Sequence, residues 1–379
     1  MTTLPEPAWP PAEEKPWMSR KQYQLFNRRR AVRCWLWPYL RSRLHPNDFR
    51  PLLAYLFTEF KCNLDCHYCW AHSNKTAGMT EEVALNAIDW LHDAGCRALA
   101  IMGGEPLLRP KFIHKIVAYA TGRGFFVYLP TNGRLMWPTV IDKLGDAGLA
   151  TVNLAVDCVD EKPGLPKALN PIRKHFEYLV KMQAKYGYTV FLNINITRLN
   201  LDDVIALTEI AHDANIATDY HLNEAPMLEQ DHFGRAHGNG TYIRPEDRPA
   251  VDDLLDRLAD LNRSGYQMVN SCQHFADMKR FMRGEVAAWT CRAGQSSVII
   301  RTDGTLAPCF TYYSATTDWG TIRHPRFNIT QLDQLKKTCT ASCLSTCQHT
   351  LGYAYNAAHA AHWLARQARR GFKGVSGSF

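Results

Sequence analysis

Cys62, Cys66 and Cys69 follow one another with three and then two residues between them. Thiolates spaced this way on one loop can each bind a different iron of a cubane cluster, and three of them leave the fourth iron free. A structural metal site is closed by four protein ligands, whereas a catalytic one keeps a position open. The bare spacing also suits a zinc knuckle with His67 or a distant residue as fourth ligand. A second group, Cys291, Cys309, Cys339, Cys343 and Cys347, lies later, and Cys34, Cys96, Cys158 and Cys272 are scattered. Twelve cysteines in 379 residues are too sparse for a secreted disulfide scaffold, so the groups read as metal ligands and the scattered four as small buried hydrophobes.

The elements that must position these groups can be read from periodicity. An apolar run from Leu52 to Phe57 reads as a buried strand and feeds directly into the first cysteine loop. A helix starting near Thr80 (Glu81 to Asp93) precedes a strand from Ala98 to Met102 and then Gly103-Gly104-Glu105-Pro106. The pattern repeats: helix Lys111 to Thr121 and strand Phe125 to Leu129, helix Val140 to Ala147 and strand Thr151 to Val156. Helix His175 to Tyr186 leads to Thr189 to Ile196, and helix Leu201 to Ala214 to Thr218 to Leu222. Six such units predict an α/β fold, a partial (β/α)6 parallel barrel, with its chemistry at the C-terminal ends of the strands. An irregular stretch from Met227 to Thr241 and a helix from Pro245 to Asn262 follow. Ser297 to Arg301, the turn Asp303-Gly304 and Leu306 to Phe310 read as a small C-terminal β-hairpin, and Tyr353 to Arg370 as a helix. The expected divisions are an extension at 1–50, the barrel at 51–240, linking helices at 241–290, a second cysteine module at 291–350, and a helix and tail at 351–379. Residues 1–14, rich in Pro and Glu, are expected to be disordered.

Cys-x3-Cys-x-Tyr-Cys after the first strand, with Gly-Gly-Glu-Pro after the second, resembles the radical S-adenosylmethionine (SAM) superfamily over about residues 52 to 225. The resemblance implies that Cys62, Cys66 and Cys69 bind a [4Fe-4S] cluster whose free iron is chelated by SAM. It places Tyr68 by the adenine, and Gly103, Gly104 and Glu105 around the SAM amino group, where glycines allow close approach and a carboxylate accepts ammonium hydrogen bonds. Asn132, Asp157 and Asn195, at the ends of the third to fifth strands, are placed by the ribose or carboxylate; ordinary turn chemistry is the alternative for each. The implied reaction is reductive cleavage of SAM to methionine and a 5′-deoxyadenosyl radical that abstracts hydrogen, with flavodoxin or ferredoxin as electron donor.

Cys291, twelve residues, Gly304, four residues and Cys309 resembles the start of the auxiliary-cluster modules called SPASM and twitch domains. That implies one auxiliary [4Fe-4S] cluster on Cys291, Cys309 and two of Cys339, Cys343 and Cys347. If the last three lie on one helix, either adjacent pair shares a face. A zinc site made of the same residues is the alternative.

The net charge of +8 is concentrated, since nine Lys or Arg and no acid fall between Lys15 and Arg43. Met18, Leu25, Phe26, Val32 and Leu36 give that segment a helical stripe, which Pro38 should end or kink. Such a helix suits peripheral contact with an anionic membrane through residues 18–44, or packing on the barrel by part of its stripe; Trp363, Arg366, Arg369, Arg370 and Lys373 could join it. No aromatic-rich RNA module is visible, so nucleic acid is not an expected partner. No long apolar run and no basic-then-apolar leader is present, and a cytoplasmic location is expected. The expected substrate is a peptide or natural product, with a membrane lipid or isoprenoid as alternative; a non-catalytic metal-binding redox protein is the reading from another class. Arg198, His221, Asn223, Glu224 and Tyr312 are single polar positions on strands and loops, and none is identified as an acid, base or radical relay.

Overall fold

A strand covered on both faces must be apolar on both, and Leu53–Glu59 (β1) is buried at every position. In the computed structural model of the chain, residues 5–10, 14–45, 48–71, 76–222, 239–285, 289–314, 317–339, 343–356, 358 and 361 are described, apart from the side chains of 338, 346 and 347. Five further parallel strands follow β1: Ala98–Gly103 (β2), Phe126–Thr131 (β3), Thr151–Ala155 (β4), Thr189–Ile196 (β5) and Ala217–Leu222 (β6). They lie in sequence order, each joined to the next by a helical crossover.

Ahead of β1 run Arg20–Ala31 (α1) and Trp37–Leu44 (α2); between the strands run Glu81–Asp93 (α3), Pro110–Gly122 (α4), Pro138–Asp146 (α5), Arg173–Tyr186 (α6) and Leu201–Asp213 (α7). Their starts and stops follow local chemistry. The Thr80 side chain accepts a hydrogen bond from the Val83 N–H, prolines open α4 and α5, and Gly187 ends α6 at a φ of 80°.

Period-two alternation gives the sheet two different faces. Outward residues such as Leu56, Leu99, Val127, Val152, Leu192 and Val298 join one large aliphatic core with the helices. Inward residues on the β1 side form a smaller aromatic cluster that includes Tyr55, Phe57 and Phe126.

Two elements depart from expectation. Pro38 does not end its helix: α1 passes through a π turn, Val32–Leu36, into α2, and the Trp37 N–H reaches back to the Val32 carbonyl. The widened turn accommodates a residue that lacks an N–H of its own. The helix is held to the barrel both by part of its apolar stripe, where Met18 and Phe26 lie against Gly187, and by polar groups. Arg30 donates to the carbonyls of Ala150 (3.0 Å) and Gly187 (2.8 Å), and the Tyr23 hydroxyl donates to the Tyr188 carbonyl at 2.8 Å.

The second departure is the hairpin. Ser297–Ile300 (β7) pairs parallel with β1, and Leu306–Ala307 (β8) pairs antiparallel with β7, so the hairpin continues the barrel sheet at the β1 edge. Arg248–Ser264 (α8) and Cys272–Met282 (α9) precede it, within the expected linking helices. Ile329–Cys339 (α10) and Thr346–Tyr355 (α11) follow. The stretch Met227 to Thr241 lies largely outside the described residues, as do 1–4, 11–13, most of the helix expected over Tyr353 to Arg370, and the basic tail. Residues 5–10, expected to be disordered, are instead held on the fold: the Trp9 ring packs on His114 (5.2 Å) and the Thr139 hydroxyl donates to Glu6 (2.7 Å).

The junction of β1 and β2 has no room for a side chain. A Cβ on Gly103 would stand 2.3 Å from the Glu59 carbonyl oxygen, and one on Gly104 2.3 Å from that of Lys61. Gly104→Ala is therefore expected to cost about 1–3 kcal/mol, the usual range for overpacking, and to lower the iron content of the purified protein. Thermal unfolding with iron analysis checks both; wild-type values for the variant would show that the junction can yield.

Candidate active site

The first cysteine loop is built from the end of β1. The Glu59 carboxylate accepts the N–H groups of Phe60 (3.0 Å) and Lys61 (3.1 Å), turning the chain out of the strand. The Lys61 carbonyl accepts the Glu105 N–H at 2.9 Å, tying the loop to the Gly-Gly-Glu turn after β2. The Leu64 N–H points at Cys62 Sγ (3.4 Å), the Cys69 N–H donates to the Cys66 carbonyl (3.0 Å), and the His67 N–H donates to the Gly164 carbonyl (3.0 Å). Three thiols therefore stand on one short loop at the C-terminal rim of the parallel strands.

Glu105 is 0% exposed, and its carboxylate is engaged by protein donors: Leu107 N–H (3.0 Å), Thr131 hydroxyl (2.9 Å) and Asn132 N–H (2.9 Å). It braces the ends of β2 and β3 and thereby aims the Asn132 amide, which donates to Asn63 at 2.8 Å and lies 3.9 Å from Cys62 Sγ. The close approach that Gly103 and Gly104 permit is to the β1 backbone. Burial pushes the Glu105 carboxyl up, against the pull of those three donors.

Asp157 forms a second brace. It is 1% exposed, accepts the Asn195 N–H at 2.9 Å and the Tyr68 hydroxyl on its other oxygen, and has its own carbonyl held by Asn200 at 2.7 Å. Burial raises its carboxyl too, with Lys167 acting the other way. Tyr68 is thus anchored through its hydroxyl to the end of β4, and Asn195 lies beside Asp157, in register with His221 of β6.

Lys167 was not singled out from sequence. Its backbone carbonyl accepts the N–H groups of Asp157 and Cys158, and its ammonium lies 5.2 Å over the Tyr68 ring, within electrostatic reach of Cys62, Cys66, Cys69 and Asp157. Burial opposes its charge, but the nearby Cys66 and Asp157 more than offset it, so the amine's affinity for its proton is raised. A lone lysine in an irregular loop has no periodicity to mark it; only the tertiary return of residues 158–169 to β4 reveals it.

In the later group, Cys309 is buried and its thiol is pushed up to about 12, first by burial and then by Cys291, with Cys339 also contributing, so these three are brought together. A Tyr312 side-chain hydrogen bond reaches Cys339. The cysteines from 339 onward do not share one helix: Cys339 ends α10, Cys343 is buried in the connection, and Cys347 lies in α11 with its side chain outside the described residues. Gly352 seats α11, since a Cβ there would stand 1.9 Å from the Thr290 carbonyl oxygen, one residue before Cys291. Between the two cysteine groups lie aromatic rings, with Trp70 stacked obliquely on Phe310 (5.8 Å) and Tyr313 (5.3 Å).

Among the other positions noted from sequence, Arg198 pairs with Asp247 (3.0 Å), and His221 contacts Asp219 (3.3 Å) and Asn193 (3.0 Å). Asn223 and Glu224 lie outside the described residues. The scattered Cys34, Cys96 and Cys158 are fully buried; Cys272 is half-buried.

Thiols on a rim loop of an incomplete parallel barrel, backed by buried carboxylates after β2 and β4, are a donor set of the kind that iron-sulfur enzymes use. The family described as the radical SAM superfamily matches residues 59–219 of the chain. The chain is 31% identical over 169 residues to the AdoMet-dependent heme synthase of Methanosarcina barkeri (42% of this chain, 47% of that protein). It is 27% identical over 228 residues to the Fe-coproporphyrin III synthase of the same organism (58% and 54%). The chain spans about half the length of these two relatives. Its fold is similar to that of Streptococcus suis SuiB bound to the precursor peptide SuiA, with a TM-score of 0.60 and 15% identity over 79% of this chain and 70% of that one.

The donor set suits a cluster. Without one, burial first and Glu105 next push the Cys62 thiol up to about 11, and burial pushes Cys66 up to about 12. Both are protonated near neutral pH, so loading must displace their protons and is expected to strengthen as pH rises. Anaerobic reconstitution at stepped pH, read as iron and sulfide bound, checks this; loading that falls with rising pH would contradict it. Lys167→Met removes a cation that favours the more negative, reduced cluster, so its midpoint potential is expected to drop by on the order of tens of millivolts, while Lys167→Arg stays near wild type in a potentiometric titration.

Proposed function

We propose that the chain cleaves SAM reductively and uses the resulting radical on an unactivated C–H bond of a peptide or natural product. When bound at Cys62, Cys66 and Cys69, a [4Fe-4S] cluster would supply the electron and, through its free iron, a grip on SAM. The chain's own residues hold the rest. Glu105 keeps Asn132 aimed toward Cys62, Asp157 fixes Tyr68 and the Asn195 backbone, and Lys167 keeps a positive charge beside the thiolates. The inner aromatic cluster around Phe57 and Trp70 packs against Cys69 and helps exclude water from the reaction space. The observation that carries the reading is the convergence of the three-thiol loop with Glu105 and Asp157 at the strand ends.

Under this reading Gly103 and Gly104 line the SAM amino group, a second [4Fe-4S] cluster is held by Cys291, Cys309, Cys339 and one of Cys343 and Cys347, and a flavodoxin or ferredoxin delivers electrons. The likeness to SuiB, solved with a precursor peptide, supports a peptide substrate.

A lipid substrate is the second reading, and one surface favours it. Trp37 (61% exposed), Leu44 (78%), Leu25, Val32 and Leu40 stand out on the N-terminal helix among its arginines, the arrangement that suits an anionic bilayer. Among the described residues no helix is long and apolar enough to cross a membrane.

After anaerobic reconstitution, about eight irons per chain are expected, as two cubane clusters require, with 5′-deoxyadenosine formed on adding SAM and dithionite. Zinc alone at the thiols, or intact SAM, would refute the proposal. Co-sedimentation with phosphatidylglycerol vesicles separates the substrate readings: the lipid reading expects binding by the full chain that a Trp37→Ser/Leu40→Ser/Leu44→Ser variant loses, and the peptide reading expects neither to bind.

A further inference from the structure

The inner face of the barrel is chemically divided. The β1 to β3 side is aromatic, whereas the β4 to β6 wall carries Asn153, Asn193, Asp219 and His221. Asn193 sits in register with Asp219 across β5 and β6, and Ala155 of β4 completes that rung. One rung deeper, Asn153 and Ala217 flank Phe191, so the side chains next to the polar groups on these rungs include two alanines.

Two acceptors on this wall are left over. Asp219 is 9% exposed and Asn153 6%, and Oδ1 of each is buried without a hydrogen-bond partner among the described residues. His221 Nε2 lies 3.3 Å from the other Asp219 oxygen and 3.0 Å from the Asn193 amide nitrogen, so its one nitrogen is shared between a carboxylate and a neutral amide. A buried acceptor without a donor is destabilising, more so for a carboxylate, and is unusual to find twice on one face without a function. Both orphans are acceptors, so the missing group must bring N–H or O–H donors, and the carboxylate favours a positive one.

We propose that the β4 to β6 wall is a substrate subsite for a basic nitrogen, an amine or guanidine at the end of an apolar stem, with Asp219 as its counter-ion and Asn153 and Asn193 as amide partners. The stem lies toward the aromatic half of the lumen, and a carboxylate end is rejected by Asp219. This rests on the reading of the lumen as the reaction space of a SAM-cleaving enzyme and adds the polarity of what enters it.

Saturation-transfer NMR on the reconstituted full chain, with butylamine, butylguanidine, butanol and pentanoate as probes, tests it. The two cations are expected to bind at least about tenfold more tightly than pentanoate or butanol, the gain of one charge-assisted hydrogen bond. Asp219→Asn is expected to erase that preference. Equal binding of amine and pentanoate by the wild type, or binding of neither, overturns the subsite whether or not the variant folds. Because the readout is binding, discrimination without SAM cleavage would sink the proposed activity and spare the subsite, and cleavage without discrimination would do the reverse.

Discussion

A carboxylate shut away from water must find its donors in the protein, and at the C-terminal rim of this sheet two carboxylates do so across neighbouring strands. Glu105, after β2, takes Thr131 and Asn132 from the end of β3; Asp157, after β4, takes the Asn195 N–H of β5 and the Tyr68 hydroxyl from the cysteine loop. Each bond is ordinary. Together they fix the loop after β1 against the ends of β2 to β5, so the thiol geometry is inherited from the sheet rather than from the loop's own flexible backbone.

The same rim explains the glycines. Backbone atoms of Glu59, Phe60 and Lys61 run within contact of Gly103 and Gly104, and Gly104 donates to the Glu59 carbonyl at 2.6 Å. Any side chain there would push β2 away from β1 and carry Glu105 with it. The glycines thus serve the strand junction directly, and whatever binds above the rim through it.

Joining β7 to β1 has consequences for the later cysteines. Cys291 and Cys309 ride on a hairpin that extends the catalytic sheet, and α11 is pinned back on it by the Ser297–Gln348 contact (3.0 Å) and by Gly352 against Thr290. Both cysteine groups are therefore attached to one continuous sheet, with Trp70, Phe310 and Tyr313 packed on one another beside them. Arg30 and Tyr23 lock the N-terminal helix to the same barrel at Ala150, Gly187 and Tyr188, which leaves Trp37, Leu40 and Leu44 to face outward.

Read alone, the amino-acid order determined the strand and helix alternation, the first thiol triplet and the residues at the strand ends, because periodicity and short spacings are local properties of the chain. Thr189–Ile196 and the α3 range Glu81–Asp93 were legible to the residue. What the fold alone decided depends on contacts between distant segments: the brace formed by Glu105, the return of Lys167 to the thiols, the pairing of β7 with β1 and the π turn that lets a helix run past Pro38. Cys339, Cys343 and Cys347 are evenly spaced yet fall on two helices and a connection, since spacing fixes a shared face only when one helix spans all three. Inward orphans such as Asp219 follow the same logic, for a missing partner can be seen only once every neighbour is in place.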